Sequence, residues 1–102
     1  MKEYNKLVRD NIPQIIEERG VTPVTHTANN EEYERALGNK LLEEVDEFRK
    51  SGDLEELADI QEVIDAIAQF KGFTSEDLNR LKEEKAEKRG RFSKRIILER
   101  TE

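Results

Sequence analysis

Only four residues, "KSGD" at positions 50–53, separate two segments whose apolar residues recur at helical spacing. A joint that short leaves room for one arrangement, an antiparallel helical hairpin. On the first segment Tyr33, Leu37, Leu41, Val45 and Phe48 share a stripe at 100° per residue; on the second, Leu57, Ile60, Val63, Ile64, Ile67 and Phe70 do the same. Asn29 or Asn30 caps the first helix and Gly52 stops it, while Asp53 caps the second and Gly72 stops it. Upstream, "NKLVRDNIPQIIEERG" offers Asp10 or Asn11 as a cap, Pro13 near the first turn and Gly20 as a stop. Downstream, "TSEDLNRLKEEKAEKRG" opens with Thr74 three residues before Asp77, a loose capping-box pattern. "VTPVTHT" is β-branched but broken by Pro23, so it reads as an extended connector or an edge strand. The expected fold class is all-α: an antiparallel helical hairpin bundle of about four helices. A short terminal β pairing between the connector and Ile96–Leu98 is the one departure the pattern allows. With no repeat and no low-complexity linker, residues 1–102 read as a single domain.

Acidic residues intrude on both apolar stripes. Glu44 lies about 20° from Leu37 by the helical period, inside the stripe, and Glu47 lies at its edge. Glu56 falls inside the second stripe with Asp59 at the edge, whereas Asp46, Asp53 and Asp65 point away. Opposed residues of a hairpin have a nearly constant index sum, and Glu47 with Glu56 shares the sum 103 with Glu44 and Asp59. The two pairs therefore face one another, spaced about 4.5 Å along each helix across axes roughly 8–10 Å apart. Four such carboxylates repel unless a cation stands among them. Oxygen donors without imidazole or thiolate select a hard ion, first of all Mg²⁺, with Mn²⁺ as a substitute. Two other solutions stay open at this point: lysines neutralise the cluster, or the stripe is rotated and the acids are solvated.

Charge and composition narrow the function classes. The chain is 34% hydrophobic and 41% charged, so burial is scarce and a second copy is an expected remedy. Without cysteine and with one histidine there is neither a disulfide framework nor a Cys/His zinc site. No apolar run reaches membrane-spanning length and the N-terminus lacks the apolar block of a signal peptide, so a cytoplasmic protein with no membrane partner is expected. The net charge of −6 argues against general nucleic-acid binding. Residues 1–79 carry nine basic and nineteen acidic side chains, while residues 80–102 carry nine basic and five acidic, so an acidic body precedes a basic tail.

Together these residues resemble a known family. Glu43-Glu44-x-x-Glu47 followed by Glu56-x-x-Asp59 is similar to the EExxE…ExxD signature of the MazG-like all-α nucleoside triphosphate pyrophosphohydrolases. "YNKLVRDNIPQII" and "KRGRFSKRIILE" resemble the start and the end of a small subgroup labelled phosphoribosyl-ATP pyrophosphohydrolase-like. The spacing from Glu47 to Glu56 is shorter than is usual in the superfamily, and Asn11 stands where the subgroup has lysine. The resemblance implies Mg²⁺-dependent hydrolysis of a nucleotide between the α and β phosphates, to a monophosphate and pyrophosphate, as a house-cleaning activity. It implies Glu44, Glu47, Glu56 and Asp59 as metal ligands and Glu43 as the group that orients water or supports a ligand. Glu62, one turn beyond Asp59, is a further candidate.

A polyphosphate also needs cations. Lys85, Lys88, Arg89 and Arg91 flank the flexible Gly90, and Lys6 and Arg9 approach from the N-terminal side, so these six are the expected substrate-binding residues. Each has a plainer reading as a solvated helix end or a surface pair. His26 sits in the connector with neither an acid nor a nucleophile nearby in sequence; Tyr4, Tyr33, Phe48, Phe70 and Phe92 read as core, and Phe92, near the basic loop, can alternatively stack on a base. The apolar stripes exceed what a thin first helix and a polar fourth one cover, so a homo-oligomer is expected, most simply a dimer, with a tetramer as the next size. The rival from another class is a non-catalytic helical binding or regulatory module on the same scaffold.

Overall fold

The computed structural model describes residues 2–102. Four helices run in the order α1 (Ile12–Glu18), α2 (Asn30–Ser51), α3 (Leu54–Lys71) and α4 (Ser75–Arg89), and no strand is present among the described residues. Side-chain caps start α2 and α4, while Asn11 before α1 and Asp53 before α3 make no side-chain cap hydrogen bond. The Asn29 carboxamide oxygen accepts from the Glu32 N–H at 2.9 Å, filling one of the empty donors of the α2 N-terminus. Thr74 does the same for α4, accepting from the Asp77 N–H at 3.0 Å. α1 begins with Pro13 in its first turn, where a missing N–H costs nothing.

The hairpin turn depends on Gly52. Its φ of 69° is left-handed, and its N–H reaches back to the Phe48 carbonyl at 2.8 Å. A side chain at that position would strain the turn. The Ser51 hydroxyl completes the joint, accepting from the Asp53 N–H and donating to Glu56. From there α3 returns antiparallel along α2, the pair of helices in extensive contact. At the far end Tyr33 meets Phe70 edge to face, ring centres 5.2 Å apart and planes at 86°, and the two share the index sum 103. Lys71 pairs with Glu34 beside them. The register expected from the turn therefore holds over the full length of the hairpin.

Among the described residues the buried apolar side chains are few: Leu37 on α2, Val63 and Ala68 on α3. Leu42 is 70% exposed and Leu54 81%, and Val45, Leu57 and Ile64 are also open. Beyond α4, residues 91–102 form neither helix nor strand, so in the single chain Ile96–Leu98 pair with nothing in a sheet. The radius of gyration is 18.0 Å and the long dimension 59 Å. A compact domain of this length would have a radius near 13 Å. One copy of the chain thus leaves much of its apolar surface in water. Among the described residues no helix is long and apolar enough to cross a membrane.

Candidate metal centre

The hairpin brings the acidic motif to the α2–α3 interface, and burial sorts its members. Glu44 is 5% exposed, the single charged residue buried with the core among the described residues. Glu43, Glu56 and Asp59 are half-buried, and Glu47 is exposed. Asp46 and Asp65 face solvent, Asp46 pairing with Lys50 at 3.2 Å.

Among the described residues, three cations pair with Glu43, Glu44 and Asp59. Lys40 lies one turn before the motif and stands 3.5 Å from Glu43 and 3.3 Å from Glu44. Lys6 donates to Glu43 at 3.0 Å. Arg9 donates to Asp59 at 2.8 Å and approaches Glu62 at 4.0 Å. Lys6 and Arg9 are three residues apart, a span of about 10 Å in extended chain. That matches the separation of two packed helices. The N-terminal arm therefore crosses the hairpin, with Lys6 on α2 and Arg9 on α3. Tyr4 steadies the arm, its ring lying under the ammonium groups of Lys2 and Lys6.

The neighbours pull adjacent carboxyls in opposite directions. Burial raises the Glu44 carboxyl above its ordinary range; the charges of Glu47 and Asp59 push the same way, against the hydrogen bond and charge of Lys40. Burial also acts on Glu43, but Lys6 and Lys40 outweigh it and hold that carboxyl below the usual range. Lys6 is raised, chiefly by its hydrogen bond to Glu43, with Glu47 and Glu44 adding.

Does this set suit a divalent cation? Glu44 Oε2 is buried and has no hydrogen-bond partner, and the charges of Glu47 and Asp59 are near enough to act on this carboxyl. Buried acceptors of this kind are normally satisfied. All-oxygen donors favour Mg²⁺ or a similar hard ion, so the donor chemistry fits. Among the described residues no three acidic or histidine side chains already converge on one point. In the chain alone Lys40, Lys6 and Arg9 supply the positive charge.

Of the expected phosphate-binding residues, the fold brings Lys6 and Arg9 to the cluster. No ion pair among the described residues links Lys85, Lys88, Arg89 or Arg91 to the α2 and α3 carboxylates; Arg91 instead bonds Glu83 of α4 at 2.8 Å. His26 finds an acid that its sequence neighbourhood did not suggest, with Nε2 2.9 Å from Glu32, and so ties the connector to the first turn of α2. Phe92 is 96% exposed and Tyr4 61%, so neither joins the core. Lys40 was not singled out from sequence, although its place three and four residues before Glu43 and Glu44 is the signal for it. Arg35, on the same flank of α2, was likewise passed over.

No family model matches this chain, and no solved structure matches it. Among curated proteins, an uncharacterized protein from Mycolicibacterium smegmatis is 52% identical over 44 residues, which are 43% of this chain and 45% of that protein. The chain thus spans less than half the length of the relative it matches, and the similarity carries no stated activity with it.

Proposed function

We propose that this chain is a Mg²⁺-dependent nucleoside triphosphate pyrophosphohydrolase of the MazG-like kind, with Glu44, Glu47, Glu56 and Asp59 as the metal ligands. The observation that carries the reading is Glu44, a carboxylate buried at a helix interface with one oxygen unsatisfied and two further acids close enough to shift its proton affinity. A chain needing only stability has little reason to keep it, since an apolar residue there would be cheaper. Bound Mg²⁺ would supply charge neutralisation of the phosphate oxygens and of the carboxylates around them.

The chain's own groups have separable roles. Glu43 is kept ionised by Lys6 and Lys40, so it orients an attacking water by accepting its hydrogen bond and is a weak proton acceptor. The water oxygen forms a bond to the α-phosphorus, the bond to the bridging oxygen breaks, pyrophosphate leaves, and the proton shed by the water passes to bulk solvent. Arg9 presents a planar fork suited to phosphate and gives up Asp59 in exchange. A homodimer is the assembly that covers Leu42, Val45, Leu57 and Ile64, which one copy leaves exposed.

Incubating the pure protein with mixed nucleoside triphosphates and Mg²⁺ tests the reading. Pyrophosphate and monophosphates, absent when EDTA replaces Mg²⁺, are the expected products. Release of orthophosphate alone, or no release, overturns it. The second outcome would favour a binding module whose carboxylates are permanently paired with Lys6, Lys40 and Arg9, the arrangement of the chain alone.

A further inference from the structure

Beside the carboxylate cluster the N-terminal arm and α2 enclose a cleft of about 220 Å³. Arg35, Asn39, Lys40 and Glu43 line it from one flank of α2, and Asn5 and Lys6 close it from the arm. We propose that this cleft is an oxyanion site, with Arg35 as its principal ligand, that takes the two-phosphate end of a nucleotide. Assigning it to the leaving pyrophosphate rests on the pyrophosphohydrolase reading; the anion site itself does not.

The charges favour an anion. Three cations, Lys6, Arg35 and Lys40, line the cleft against two carboxylates, Glu32 and Glu43. Both carboxylates are already engaged, Glu32 by His26 and Glu43 by Lys6 and Lys40. Arg35 is exposed and, among the described residues, pairs with no carboxylate. A guanidinium left over in a concave site is a ready fork for phosphate oxygens. The Asn5 and Asn39 carboxamides add neutral donors. A nucleobase would want an aromatic face to stack on, and the cleft lining has none. The volume also falls below the roughly 300 Å³ at which pockets for whole small molecules begin.

Position ties the cleft to the cluster. Arg35 and Glu43 are eight residues apart on α2, about 12 Å along the axis, and Lys6 and Lys40 touch the cleft and the carboxylates at once. A nucleotide whose α-phosphate stands at the carboxylates can lay its distal phosphates along this row. Asn5 holds the arm's bend with a φ of 47°, a left-handed conformation that asparagine tolerates better than most residues.

Calorimetric titration of the full-length chain with inorganic pyrophosphate in EDTA tests the anion site without calling on turnover. Saturable binding is expected, weakened roughly tenfold or more by Arg35→Gln. Arg35→Lys should fall between, since it keeps the charge and loses the fork. Arg80→Gln, which removes an exposed arginine paired with Asp77 on α4, should bind like the unaltered chain. If pyrophosphate fails to bind, or binds Arg35→Gln and the unaltered chain equally, the proposal is overturned. It is also overturned if adenosine binds in EDTA and Arg35→Gln abolishes that binding. Should pyrophosphate bind through Arg35 while nucleotides are never hydrolysed, the anion site stands and the catalytic reading falls. If hydrolysis does occur, Arg35→Gln should raise KM about tenfold with a smaller change in kcat; an unchanged KM would remove the site from the reaction path.

Discussion

Adding Mg²⁺ to the metal-free protein should raise its melting temperature, and the rise should depend on pH through Glu44. Without metal the buried Glu44 carboxylate has Lys40 on one oxygen and nothing on the other, with Glu47 and Asp59 repelling it. A cation held by the folded arrangement adds RT ln(1 + [L]/Kd), about 2.7 kcal/mol at a hundredfold excess over Kd. At about 4–8 °C per kcal/mol for a domain near this size, the rise is on the order of 10 °C or more. Millimolar MgCl₂ or MnCl₂ should produce it in circular-dichroism melts, and NaCl at matched ionic strength should not.

The pH dependence gives the prediction its sign. Glu44 has a raised carboxyl in the folded chain, so its contribution to metal-free stability is fully present below the unfolded Glu range and is lost as pH rises through the folded value. Metal reverses that preference, because a ligand carboxyl must shed its proton. The Mg²⁺-induced rise should therefore be large at neutral pH and shrink on acidification through the Glu44 titration. Glu47→Gln should reduce the rise and increase metal-free stability, since one repelling charge is gone. Identical melts in EDTA and Mg²⁺ at matched ionic strength would refute the reasoning and leave the carboxylates to Lys6, Lys40 and Arg9.

Glu44→Gln or Asp59→Asn should lower pyrophosphate release by orders of magnitude, while the solvent-facing Asp46→Asn and Asp65→Asn leave it nearly unchanged; equal losses at all four would mean the facial assignment is wrong. Lys40→Met should destabilise the metal-free chain by about 1–3 kcal/mol in denaturant titration, because Glu44 then has both oxygens unpaired, and Mg²⁺ should recover much of that loss. Truncation from Arg89 onward should leave Mg²⁺ affinity intact and weaken nucleotide KM if tail cations reach a site in the assembled protein; since none pairs with the α2–α3 carboxylates in one chain, an unaltered KM would confine phosphate binding to the arm and α2.

What the sequence made legible was whatever local periodicity controls. Asn29, Gly52, Gly72 and Thr74 mark helix ends because caps and left-handed stops act over a turn or less, whereas Asp53 holds the cap position of α3 without a side-chain cap hydrogen bond. The four-residue joint then fixes a register that reappears twenty residues away at Tyr33 and Phe70. Burial of Glu44 follows from the same arithmetic. The arm's path across the hairpin was not legible. It rests on two long cationic side chains reaching partners 37 and 50 residues away, and no periodicity encodes a contact made by an irregular segment. Lys40 escaped notice for a different reason. A lysine one turn before two glutamates looks like an ordinary surface pair, worth a few tenths of a kcal/mol. Only burial turns it into the internal counter-charge of an interface acid, and burial belongs to the tertiary structure. The same ambiguity runs through the whole acidic motif. In the single chain lysine and arginine pair with Glu43, Glu44 and Asp59, and under the proposed function a cation would take their place. Lys6 and Arg9 precede α1 and lie outside every helix, so exchanging their carboxylate partners for phosphate, as the proposed function would require, breaks no helical hydrogen bond.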